Sequence, residues 1–377
     1  MFIKRMKWLI IMLSIFAVAY GAYQSNREPF PQNNDVAIED ITAKSEAMIT
    51  LVDSADRTVT VPFDPKRVAT LYAVSGHITC MLDKGDRIVA VNNGLKRDVI
   101  LNELIPTIDD ATMAVSSGKI NMESLLEKKI DLAFISLDMY HDTQQIKQLE
   151  SFDIPYVVVD FQSIDQQKNV VSFMGEIFDA NEEAQNFVMF YDDIIAILDQ
   201  DLLDLADDEK IKVYHSINEA NCTVANDTFA ADWMKYAGGL NVSLGTALEK
   251  DGDKYYTNLE QIILWNPEII FCNEWGVSDY ILKHPQWQLI EAVKKEKVYQ
   301  MPIGISRWGH KTSIETPLAM LWVAKILYPE KFKADVREIA RAYYHTLFEF
   351  ELTDDMYDQM LKGETMRIPK DTKEAGQ

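Results

Sequence analysis

The sequence predicts an α/β protein of two Rossmann-like lobes with largely parallel sheets, joined by a single long spine helix. Three observations carry that prediction. Asn121-Met-Glu-Ser-Leu-Leu-Glu-Lys-Lys-Ile-Asp-Leu-Ala-Phe134 aligns without a gap on Asn258-Leu-Glu-Gln-Ile-Ile-Leu-Trp-Asn-Pro-Glu-Ile-Ile-Phe271. Apolar strands alternate with helical patterns on either side of residues 181–206. Between the two copies, apolar residues recur at helical spacing with no Gly or Pro.

Each copy of the repeat reads as a polar cap, a glutamate in the first turn, a short amphipathic helix, an acidic turn and an apolar strand. Asn is a good N-cap, and an early Glu favours the positive end of the helix dipole. One unit used once in each half predicts two similar lobes facing a cleft. Two ordinary helix–strand units that match by coincidence are the alternative.

The chain begins with Lys4, Arg5 and Lys7 ahead of an apolar run, Trp8 to Tyr23. That run is short for a membrane span, so 1–23 reads as a signal peptide or an N-terminal membrane anchor. Small residues at Ala17, Ala19, Gly21 and Ala22 offer cleavage sites, and no cysteine follows the run, which argues against a lipoprotein anchor. Export is expected, to the periplasm or the outer face of the cytoplasmic membrane. Residues 24–45 are polar and Pro-containing, as a linker is.

The N-terminal lobe is expected over 46–180. Met48 to Pro62 reads as a hairpin of two alternating runs around a polar turn. Strands follow at Pro65–Tyr72, Arg87–Val91, Leu132–Ser136 and Tyr156–Asp160, with helical patterns such as Ser75 to Leu82 between them, so the sheet is largely parallel. The interdomain helix is set at 181–206. Ala184, Phe187, Val188, Tyr191, Ile194, Ile195, Leu198, Leu202 and Leu205 line one face of a helix roughly 35–40 Å long. The C-terminal lobe, 207–350, has strands at Lys212–Ser216, Ile269–Cys272 and Lys297–Met301. Helices are expected at Phe229–Tyr236, stopped by Gly238-Gly239, and at Trp287–Val293, Thr316–Leu327 and Val336–Phe350. Residues 351–377 read as a C-terminal tail, charged and loosely held from about Glu364.

Composition narrows the function. The 377 residues are 47% apolar and 10% aromatic, enough for two packed lobes. With 59 acidic and 37 basic residues the formal charge is −22, which disfavours nucleic acid as a partner. Cys80, Cys222 and Cys272 lack metal-type spacing; each reads as a buried thiol, and one disulfide stays possible. No Gly-x-Ser-x-Gly, phosphate loop, His-Glu-x-x-His or Cys-x-x-Cys is present, so an enzyme is not expected.

The order and spacing of several motifs resemble the binding-protein family of bacterial ABC importers for iron-siderophores, haem and vitamin B12. They are Val59-Thr-Val-Pro…Pro65-Lys-Arg-Val68, Gly175-Glu-Ile-Phe…Glu183-Ala184, Tyr236-Ala-Gly-Gly-Leu-Asn241, Asn258-Leu-Glu…Asn266-Pro-Glu-Ile-Ile270 and Ala292-Val-Lys…Lys297-Val-Tyr-Gln-Met-Pro302. The most specific is Pro317-Leu-Ala-Met-Leu-Trp-Val-Ala-Lys-Ile-Leu-Tyr-Pro-Glu-Lys-Phe332, and the resemblance covers about 48–350. It implies two lobes on one rigid helix, a shallow cleft with small closure, and a partner permease dimer in the membrane. It also implies that one glutamate on each lobe docks to permease arginines, which points to Glu123 and Glu260. Both would equally serve only their helix dipoles. The protein is expected to act as a monomer, with no intrinsic cofactor.

The cleft should be lined by residues at the C-terminal ends of the strands. Arg307-Trp308-Gly309-His310 is the strongest local signal: a guanidinium fork for carboxylate or phosphate beside an indole face. A surface Arg with a core Trp is the alternative. Lys96-Arg97, with Asn92 and Asn93, could neutralise an anionic ligand from the first lobe, or be a solvated pair. His77 reads as an axial metal ligand or as a helix-start histidine with a satisfied hydrogen bond. Tyr72, Tyr140 and Trp275 read as cleft walls or as core. A bare metal ion, which wants three or four converging His, Cys, Asp or Glu ligands, fits these segments poorly. A mixed aromatic and basic cleft points to a metal chelate: a ferric siderophore foremost, or haem or a corrinoid.

Overall fold

In the computed structural model the described residues are 47–368, apart from 117, 203, 364 and 365. They belong to one compact unit, and the expected targeting segment 1–23 and linker 24–45 lie outside them.

The first lobe opens on the expected hairpin, Met48–Val52 paired antiparallel with Thr58–Pro62. Five parallel strands follow, in spatial order Thr112–Met113, Ile88–Val91, Val68–Thr70, Leu132–Ile135 and Tyr156–Val158. The second lobe carries four parallel strands, in order Leu240–Asn241, Lys212–Ser216, Ile269–Cys272 and Val298–Gln300. Both are doubly wound α/β sheets. Their strand order reverses at the first strand of each lobe, which opens a crevice at its carboxyl end.

The duplicated unit folds the same way twice. Asn121 Oδ1 accepts from Ser124 N at 3.1 Å and starts the helix Met122–Lys128; Asn258 Oδ1 accepts from Gln261 N at 2.8 Å and starts Leu259–Trp265. Each helix ends on a left-handed residue, Lys129 at φ 47° and Asn266 at φ 44°, before its buried strand.

The spine helix spans Asn181–Leu202, four residues short of the expected end. It lies against the helix Ile164–Phe178 of the first lobe and against Thr316–Leu327 and Val336–Phe348 of the second. One buried apolar cluster runs from Val68 and Phe134 through Phe187 and Leu198 to Phe271 and Leu321. The lobes therefore share a packed core, and moving one against the other would expose apolar surface at about 25 cal/mol per Å².

Two expectations are corrected. Trp287–Val293 is not one helix: a 3-10 turn, Pro285–Leu289, and a short helix, Glu291–Lys294, flank an extended Ile290. Nor are residues 351–377 a loose tail throughout. Asp354–Lys362 is a helix whose Tyr357 and Met360 are buried, and Met366 beyond it is also buried. The apolar spacing of Met356, Tyr357, Met360 and Leu361 explains the helix. The three cysteines are free and buried.

Candidate functional site

Arg307 stands in the loop 301–315 that follows the last strand of the second lobe. That loop is built on a buried carboxylate. Glu315 accepts from Ile305 N at 3.1 Å, Ser306 N at 2.6 Å, Ser306 Oγ at 2.8 Å, Trp308 Nε1 at 3.2 Å and the Tyr344 hydroxyl. Burial pushes its carboxyl up, and these donors offset much of that shift. On the other side, Asn273 Nδ2 donates to Trp308 O at 2.8 Å and Trp233 Nε1 to Gly309 O at 2.9 Å. Gly309 has φ 71°, and a Cβ there would come within 2.5 Å of the Trp233 ring, so only glycine fits the turn.

The rigid loop holds Arg307 against the strand ends of the second lobe. Its Nη1 donates to Glu274, with which it forms an ion pair, and to Asn218 Oδ1 at 3.3 Å. Its Nη2 lies 3.0 Å from His310 Nε2. Burial lowers the His310 pKa well below the usual value, and the charges of Arg307, Lys311 and Arg367 lower it further. The imidazole is therefore neutral, with Nε2 facing Arg307 and Nδ1 facing Thr312, whose Oγ1 lies at 2.9 Å and whose backbone N lies at 3.2 Å. Asn218, Glu274, Trp275 and Tyr280 line one concavity beside this arginine.

The first lobe contributes from its own strand ends. His77 Nε2 is 2.8 Å from Asp98 Oδ2, both buried, and its Nδ1 is 3.3 Å from Thr312 O of the second lobe. Arg97 Nε donates to Ile368 O at 2.7 Å. Burial lowers the pKa of both Arg97 and Arg307, and each lies in the field of the other, of Arg367 or of both. Around Tyr72 the field is negative: burial and the charges of Asp160, Asp138 and Asp253 push its phenol up. Among the described residues no group of three or more His, Cys, Asp and Glu is arranged to hold a metal ion.

The structure brings together Arg307 and His310, with Trp275, 63% exposed, in the concavity that Glu274 and Asn218 also line. It does not bring the rest of the expected set to the cleft surface. Trp308 is fully buried beneath the loop and donates to Glu315, so its indole is a core side chain and not a ligand platform. His77 sits within the helix Ala73–Met81, both ring nitrogens facing protein oxygens, so neither is open to a metal. Asn92 is spent as the cap of the helix Asn93–Lys96, accepting from Leu95 N at 3.2 Å, and Asn93 is a residue of that helix. Lys96 turns to the carbonyl of Asp109, at 2.8 Å. Tyr140 stacks on Arg57, 4.7 Å from ring to guanidinium, beside the hairpin. Glu123 and Glu260 are exposed in the first turns of the duplicated helices. Asp98 and Glu315 were not among the expected site residues; each acts through contacts distant in sequence.

Two doubly wound α/β lobes on a packed spine, with an arginine fixed at the strand ends of the second, are the architecture of a solute-binding protein. A model of the family described as periplasmic binding protein matches residues 68–303, and the chain belongs to that family. It is the substrate-binding protein of an ABC transporter. The molybdate-binding protein MolA of Haemophilus influenzae is 26% identical over 330 residues, 81% of this chain and 92% of the relative. Its molybdate-bound crystal structure superposes with a TM-score of 0.72 at 24% identity, over 81% of this chain and 99% of that one. YvrC of Bacillus subtilis, an uncharacterized ABC transporter substrate-binding lipoprotein, is 24% identical over 76% of this chain and 87% of its own length. A periplasmic solute-binding protein of Veillonella parvula has the same fold, with a TM-score of 0.71 at 23% identity over 84% of this chain and 97% of that one.

Proposed function

We propose that this protein captures a small anion of the tetrahedral oxyanion class in the interlobe cleft and hands it to an ABC permease dimer for import. The carrying observation is Arg307: a guanidinium on a rigid loop, flanked by a neutral imidazole and an exchangeable carboxylate partner, at the switch point of the second lobe. Such a fork matches an oxyanion with two parallel donors. Arg97 in the first lobe adds a second positive charge whose field reaches Arg307, and the similarity to a molybdate-binding protein supports the same chemistry. It acts as a monomer with no resident cofactor, exported to the periplasm or the outer face of the cytoplasmic membrane. It docks to the permease through Glu123 and Glu260.

A second reading keeps the anionic metal chelate, ferric siderophore, haem or corrinoid. It is favoured by Trp275 and Tyr280, exposed by 63% and 49% on the rim beside Arg307, where they could stack on an organic ligand.

Thermal shift against molybdate, tungstate, sulfate and phosphate, and against ferric siderophores, haem and cobalamin, tests both. A ligand at 100 times its Kd adds about 2.7 kcal/mol to folding. Stabilisation by an oxyanion supports the first reading. A response to a chelate alone replaces it with the second.

A further inference from the structure

The loop 301–315 faces two ways at two successive residues. The carbonyls of Thr312 and Ser313 meet buried side chains of the first lobe. His77 Nδ1 lies 3.3 Å from Thr312 O, and Gln167 Nε2, from the helix Ile164–Phe178, donates to Ser313 O at 2.8 Å. The side chains of the same two residues turn to the neighbours of Arg307. Thr312 Oγ1 lies 2.9 Å from His310 Nδ1, and Ser313 Oγ lies 2.7 Å from Ser306 Oγ. His310 in turn sets its Nε2 3.0 Å from Arg307 Nη2, and Ser306 directly precedes the arginine. Two short hydrogen-bonded paths thus run from the first lobe to one guanidinium of the second.

Packing alone does not explain Gln167. Its side chain is fully buried, and its Oε1 has no hydrogen-bond partner among the described residues. An apolar side chain of the same length would fill that space without leaving a buried acceptor unpaired. What the amide adds is its donation across the lobe boundary to Ser313 O, which also accepts from Thr316 Oγ1 at 3.3 Å. The loop would keep its fold on Thr316 and Glu315, so the extra donor fixes where the loop sits against the first lobe. That placement matters for an arginine. A long side chain loses rotamer freedom when it grips a ligand, and a fork held in place beforehand loses less.

We propose that Gln167 and His77 are positioning residues for Arg307: through Ser313 and Thr312, the first lobe holds the second lobe's guanidinium in the orientation that grips an anion. This rests on the anion reading above and adds that affinity depends on how the two lobes meet. Gln167→Met and Thr312→Val test the two paths, each removing hydrogen-bonding groups while keeping the bulk of the side chain. Molybdate is the probe, with sulfate and phosphate beside it, titrated by calorimetry into the full-length protein. Each variant should weaken binding by about two- to tenfold, the loss of one neutral hydrogen bond. In an Arg307→Ala background the same substitutions should change nothing, because no guanidinium is left to orient. A merely structural role would lower affinity by the same factor in both backgrounds, and that outcome overturns the proposal. Wild-type affinity in both single variants also overturns it and leaves the anion reading standing. Should Gln167→Met fail to fold, Thr312→Val decides alone. A wild-type protein that takes up none of the three anions, or an Arg307→Ala variant that binds them undiminished, overturns both.

Discussion

His77 Nε2 and Asp98 Oδ2 lie 2.8 Å apart in the interior, and the other nitrogen of the same ring reaches Thr312 O across the lobe boundary at 3.3 Å. A residue of the first lobe thus joins Asp98 to the loop 301–315 of the second. Removing the carboxylate leaves a buried ring nitrogen without its partner. Asp98→Ala should cost about 1–3 kcal/mol of folding stability. The urea midpoint should fall by the corresponding amount, and an unchanged midpoint would show that the pair is not structurally engaged.

Acid should destabilise the fold through buried histidines. Burial pushes His215 down to about 4, opposed by the hydrogen bond that its Nε2 donates to Asn273 Oδ1, and lowers His310 in the same direction. Both are neutral in the folded chain, while the unfolded chain titrates near 6.5. The unfolded state therefore binds more protons in this window, so stability is full above about pH 6.5 and falls as pH drops toward 4. For His215 alone the loss approaches roughly 3 kcal/mol. His215→Gln, which can keep a bond to Asn273, should flatten the slope in chemical unfolding between pH 7 and 4.5. A slope identical to wild type would remove His215 from the account.

The local signals were legible and the tertiary ones were not. Caps and apolar period mark the duplicated unit, because Asn121, Asn258 and their helices interact within four residues. The spine is equally plain, since its buried residues keep helical spacing for its whole length. Trp308 shows the limit. An indole beside an arginine looks like a ligand wall, yet its fate is decided by Glu315, itself bound by Tyr344 from another helix. His77 is similar: nothing in its helix reveals Asp98, 21 residues on.

Glu274 should act as the resident counter-ion of Arg307. Its side chain is 46% exposed against 15% for the arginine, so it can leave the pair with little change in its own burial. A partly exposed ion pair is worth about 0–1 kcal/mol. Glu274→Gln should therefore tighten anion binding by up to about fivefold, read by calorimetry. Arg307→Ala should weaken it by about 1.5–3 kcal/mol. Tighter binding by Arg307→Ala, or weaker binding by Glu274→Gln, would place the anion elsewhere.

Docking and capture should separate cleanly. Glu123 and Glu260 occupy equivalent first-turn positions of the duplicated helices, both exposed, one on each lobe. Neither is among the residues that line the concavity of Glu274 and Trp275. Equivalent acidic positions on two similar lobes offer a pseudo-symmetric footprint to a two-fold permease, with charge steering the encounter. Reversing both to Lys costs each helix only its favourable dipole interaction, about 0.3–1 kcal/mol, so the fold should survive. The double variant should bind its ligand with wild-type affinity and fail to support uptake in cells or in reconstituted vesicles. Uptake at the wild-type rate would show that the permease recognises some other surface. Loss of ligand affinity would show that the two helices are coupled to the cleft.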